Sequence, residues 1–193
     1  MDFEHVNIKL SVEGPKDAEG ALEPLIPIFH RWIQQKVFDE LLLDIADYRH
    51  VYAGPGVVLI GHQADYAVDN TDNKLGLLYN RKTVFEGSNQ DRFKQATRSA
   101  LNAIHRLEAE PTFAGKIHFD GKSIELFIND RFLAPNKPET RTAFEPELKQ
   151  FAETLFGGKE YSAEYESDPR RRFGVTLKPA HPVSAQELLA NLS

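Results

Sequence analysis

Between residues 41 and 81 three extended runs follow one another, joined by connections too short to hold a helix. "LLLDIADYRHV" leads through "YAGPG" into "VVLIGHQADYAV", which leads through Asn70-Thr71-Asp72-Asn73 into "KLGLLYNRK". Strands joined by tight turns are antiparallel neighbours, because a parallel pair needs a long crossover, usually a helix. The segment therefore predicts a three-stranded antiparallel meander. Its first run has apolar residues in both phases and fits a helical period about equally well. The turn-forming "YAGPG" and the β-branched run behind it decide for a strand.

The remaining patterns fill in around this meander. "HVNIKLSVEG" alternates Val6, Ile8, Leu10 and Val12 with polar positions up to Gly14-Pro15, as an edge or first strand would. "ALEPLIPIFHRWIQQKVF" places Leu22, Leu25, Ile26, Phe29, Trp32, Ile33 and Val37 on one helical stripe. Ser88, with Asp91 three residues on, caps a second helix whose stripe runs from Phe93 to Leu107. Asp120-Gly121 is the dipeptide of a two-residue hairpin turn, which predicts a hairpin in "KIHFDGKSIELFIND".

A third helix is expected with Pro146 near its first turn and Gly157 after its end. "EYSAEYESDPRRRFGVTLKP" reads as a second hairpin, and "SAQELLANLS" as a short closing helix. Helix followed by hairpin thus recurs at 88–130 and 146–178, without residue-level identity between the two units. Helices segregated from adjacent hairpins indicate the α+β class: a single domain, with three main helices packed on a largely antiparallel sheet.

A chain of 193 residues suits one core. The net charge of -6 gives no general attraction to nucleic acid or anionic lipid. The basic run Arg170-Arg171-Arg172 follows Glu160, Glu164, Glu166 and Asp168, ready-made partners across a hairpin. No cysteine is present, which removes disulfides, thiolate metal sites and cysteine nucleophiles and suits a reducing compartment. With no signal-peptide pattern or membrane-spanning run, a cytoplasmic protein is expected.

Chemistry is sought where the meander collects polar groups. Pairing 41–51 with 56–66 around "YAGP" sets Ile45 opposite His62 and puts Asp47 diagonal to it on the same face. Pairing Val68 with Leu75 sets His62 opposite Arg81, with Tyr66 and Tyr79 on the same sheet. Asp47, His62 and Arg81 are then expected at one end of an apolar face, where a carboxylate can orient an imidazole and a guanidinium can hold an anion. Gly61 hints at a bulge or close backbone approach. Tyr66 and Tyr79 could line a pocket there.

His118, Ser123 and Glu125 form a second trio across the expected Asp-Gly hairpin, without a visible oxyanion site. "DNTDNKLG" lacks the glycine and closing glutamate of a calcium loop. "AGPG" has neither phosphate-loop nor dinucleotide spacing. The expected function is a binding or scaffold module for a small anionic ligand or a protein partner, with a homodimer left open and no cofactor specified. The competing expectation is a cofactor-free or metal-assisted hydrolase or lyase, with His62 as general acid–base, Asp47 orienting it and Arg81 binding an anion.

Overall fold

Val6, Ile8, Leu10 and Val12 alternate into one buried face of strand β1 (Val6–Glu13), but the polar positions between them are largely buried as well. The reason is position. In this computed structural model, which describes residues 1–14, 22–113 and 116–193, β1 lies inside an eight-stranded sheet rather than at its edge. The other strands are β2 (Leu42–Tyr48), β3 (Gly56–Gly61), β4 (Ala64–Asp69), β5 (Gly76–Arg81), β6 (His118–Ile128), β7 (Tyr161–Tyr165) and β8 (Gly174–Pro179). The order is β2-β3-β4-β5-β1-β6-β8-β7, and every neighbouring pair is antiparallel.

Residues 41–81 are extended, as the sequence suggests, but they make four strands. His62 and Gln63 form a tight turn that divides the expected middle strand into β3 and β4. A 3-10 turn at Thr71–Asn73, with Asp72 and Asn73 at positive φ, separates β4 from β5.

Among the described residues four helices cover one face of the sheet. Helix α1 (Leu25–Gln35) packs on β2 and β3, and α2 (Asn89–Glu108) packs on β1, β5 and β6. Helices α3 (Pro138–Leu155) and α4 (Ala185–Asn191) pack on α2. Ser88 caps α2 by accepting from the Asp91 amide while the Asp91 carboxylate accepts from the Ser88 amide, the reciprocal box that the sequence indicates. Helix α3 starts earlier than expected: Pro138 takes its first turn, where a missing amide costs least, and Pro146 lies inside the helix. Aromatic rings tie the layers together, with Phe144 edge-on to both Phe3 and Phe173. Among the described residues no helix is long and apolar enough to cross a membrane.

The hairpin expected at Asp120-Gly121 is absent; both residues lie within the single long strand β6. Leu10 pairs with Ile124 and Val12 with Phe119, so residues 120–123 bulge opposite Ser11 alone. The Ser11 hydroxyl holds the bulge by donating to Asp120 and lies 2.9 Å from the Ser123 carbonyl. Gly121 keeps the positive φ that its dipeptide foretells, but uses it to bring its carbonyl to the Val183 amide. Only the second helix-and-hairpin unit therefore exists, with β7 and β8 as its hairpin. Its arginines are partly neutralised: Arg170 pairs with Asp168 and Arg171 with Glu166 of the same hairpin, and Arg171 also with Asp72 of the 3-10 turn. Arg172 instead lies over Phe127 and donates to Asn129.

Candidate functional site

Period-two alternation on β4 and β5 decides what faces the helices. Tyr66 pairs with Tyr79, and Ala64 with Arg81, so all four side chains share the covered face. Above them α2 presents Gln95, Ser99, Asn102 and Arg106 at helical spacing, and the segment 37–40 between α1 and β2 forms the opposite wall. Between these walls opens a cleft of about 1420 Å³, with Tyr66 and Arg81 in its lining.

Arg81 is 8% exposed, yet it pairs with no carboxylate among the described residues. Its Nε donates to the Thr83 carbonyl at 2.9 Å, and one terminal nitrogen reaches the Val84 carbonyl at 3.4 Å. The guanidinium carbon stands 5.5 Å from the centre of the Phe85 ring. Backbone carbonyls and a ring face satisfy some donors of this cation without cancelling its charge.

Beside it lies Glu40. One carboxyl oxygen accepts from the Tyr66 hydroxyl at 2.5 Å and the other from the Ala64 amide at 3.0 Å. Burial raises the Glu40 carboxyl above its usual range and outweighs both hydrogen bonds and the nearby charge of Arg81, which pull it down. Burial and then the Glu40 carboxylate push the Tyr66 hydroxyl far above its ordinary value, so Tyr66 serves as a donor at neutral pH. Phe38 stacks on Tyr66 at 4.8 Å, and the Tyr79 hydroxyl accepts from Gln95 at 2.9 Å.

Lys94, Arg98 and Arg106 of α2 also line the cleft, and none of them has a carboxylate partner among the described residues. Arg98 donates to the Leu192 carbonyl, and Arg106 lies 6.0 Å from the Phe38 ring centre. Of the acidic groups facing them, Asp91 is engaged in capping α2, which leaves Asp39, Glu86 and the half-buried Glu40. The cleft is thus mixed in sign, with its cations on α2 and at the floor.

The cluster expected from Asp47, His62 and Arg81 does not form. Asp47 pairs with Val57 and Ile45 with Leu59, three residues away from the expected register. Asp47 and His62 therefore stand at opposite ends of the β2–β3 pair, separated by about 16 Å of strand rise. Asp47 is exposed and bound by Arg49, whose hydrogen bonds lower its carboxyl to about 2. His62 is exposed in the turn, with its amide donating to the Leu41 carbonyl. The trio of His118, Ser123 and Glu125 is also dispersed: His118 meets Glu13, while the Ser123 amide donates to Ser11.

Arg81, Tyr66 and Tyr79 do come together, because their expected register was off by two residues, which leaves every side chain on its own face. Glu40 and the α2 residues escaped the sequence reading. Nothing in "VFDELLL" separates Glu40 from Asp39; the Ala64 amide and Tyr66 hydroxyl that single it out arrive only through the β3–β4 turn. A signal for α2 was present, since Lys94, Arg98, Asn102 and Arg106 recur every four residues beside its apolar stripe. Compared with known proteins, the chain matches no family model and no curated sequence.

Proposed function

We propose that this chain is a binding module whose cleft takes a small anionic ligand with an aromatic or apolar portion. The observation that carries this reading is Arg81: a residue 8% exposed, lining a large cleft, whose guanidinium has no carboxylate paired to it among the described residues. Burying a cation without a counter-ion is costly, and an entering carboxylate or phosphate offers the planar, charge-assisted partner that carbonyls do not. Phe38, Tyr66 and Phe85 supply apolar surface beside it, and Lys94, Arg98 and Arg106 would draw an anion toward the mouth. All the named walls come from one chain, so a homodimer is not needed to complete the site. The absence of cysteine supports placing the protein in the reducing cytoplasm.

The test is a thermal-shift screen of small aryl carboxylates and aryl phosphates, followed by calorimetry on wild type and Arg81→Gln. A ligand at about 100 times its Kd should stabilise the folded state by about 2.7 kcal/mol. The expected result is a hit whose binding disappears in the variant. No hit in the panel, or a hit that Arg81→Gln binds equally well, would count against the proposal.

A further inference from the structure

Arg81 and Glu40 both line the cleft and meet at Ala64, which pairs with Arg81 across β4–β5 and donates its amide to Glu40, yet they form no ion pair among the described residues. Each is only partly satisfied by the protein. Every carboxylate oxygen of Glu40 takes one internal bond, from Tyr66 or from the Ala64 amide, and retains capacity for a second. Arg81 spends its bonds on two backbone carbonyls and keeps further donors.

A ligand that is only an anion would meet Arg81 favourably and the Glu40 charge unfavourably. A ligand with a donor beside its anionic group turns the second contact into a hydrogen bond, so the same carboxylate that rejects one class selects the other. Resting on the anion-binding reading of this cleft, we infer that its ligands are carboxylates bearing an N–H or O–H donor on the neighbouring carbon, namely α-amino or α-hydroxy acids. Arg81 takes the carboxylate, Glu40 takes the ammonium or hydroxyl, and the stacked pair of Phe38 and Tyr66 provides a surface for the side chain.

Three probes of one shape test this by calorimetry: 3-phenylpropionate, 3-phenyllactate and phenylalanine, each titrated into wild type, Glu40→Gln and Arg81→Gln. On wild type, phenyllactate and phenylalanine should bind at least about tenfold more tightly than phenylpropionate, the effect of one added charge-assisted hydrogen bond. Glu40→Gln, nearly isosteric, should reduce that preference to within about threefold, partly by strengthening phenylpropionate as the repelling charge is lost. Equal affinity of all three for wild type, abolished by Arg81→Gln, overturns this inference and leaves the anion-binding cleft standing. A preference that survives in Glu40→Gln also overturns it. Binding of none of the three to wild type counts against both.

Discussion

On the sheet face away from the helices, Lys9 and Asp69 form an ion pair with side chains only 8% and 5% exposed. Asp69 also accepts from the Thr71 hydroxyl at 2.6 Å, so an asparagine in its place keeps a polar partner for Thr71 while removing the charge. Replacing Asp69 by Asn strands the Lys9 ammonium, and breaking such a pair costs about 3–5 kcal/mol. The lower figure is expected, because Glu125 lies directly across from Lys9 on β6 and can replace part of the lost charge. A loss of about 3 kcal/mol, at a urea slope of about 2 kcal/mol/M, moves the unfolding midpoint down by about 1.5 M. The single tryptophan, Trp32, is 1% exposed and bonded to Glu110, so its fluorescence reports the transition. Adding Glu125→Gln to Asp69→Asn should deepen the loss beyond the sum of the single changes. A midpoint shift below about 0.5 M in Asp69→Asn, unchanged by the second substitution, would refute the reasoning.

Glu40 carries a pH signature of known sign. Its folded-state pKa lies above the ordinary 4.5, so the folded state holds the proton more tightly than the unfolded chain. That contribution is full below 4.5 and is lost as pH rises through the raised value. Glu40→Gln should therefore gain on wild type in melting temperature between about pH 4 and pH 8, whereas a pH-independent offset would contradict the assignment. His62→Ala and Asp47→Ala, both at exposed sites outside the cleft lining, should change stability by no more than about 0.5 kcal/mol and leave ligand titrations unaltered. Gly121→Ala should destabilise by more than about 1 kcal/mol in chemical denaturation, since its φ is positive and a Cβ would sit 2.2 Å from the Val183 carbonyl. An unchanged midpoint would mean that the bulge relaxes freely.

Local patterns were legible wherever one element determined its own form. The alternation of β1 and the Ser88–Asp91 box of α2 follow from spacing and caps, and the extended state of residues 42–48 from the turn-forming "YAGPG" and the β-branched run behind it. Long-range pairing was not legible. Asp120-Gly121 does favour positive φ, but whether that φ turns a hairpin or opens a bulge depends on Ser11 and Val183, distant in sequence. Residues 56–69 looked continuous, yet they reverse at His62-Gln63, and the β2–β3 connection spans residues 49–55 rather than the shorter "YAGP", which displaced the register on which the Asp47–His62 relation rested. The β4–β5 error was harmless to facing because it was even, and so Tyr66, Tyr79 and Arg81 survived as neighbours. Glu40 became distinctive only through burial and through partners on another strand.

The central claim is that Arg81 receives the anion. Proton–nitrogen NMR of the arginine Nε–H groups, followed while an aryl carboxylate identified by the screen is added, observes that contact directly. The Arg81 signal, assigned by its loss in Arg81→Gln, should move saturably with the affinity measured by calorimetry, while the Arg49 signal beside Asp47 stays fixed. An unmoved Arg81 signal during saturable binding, or movement confined to residues around Asp47 and His62, would contradict the account.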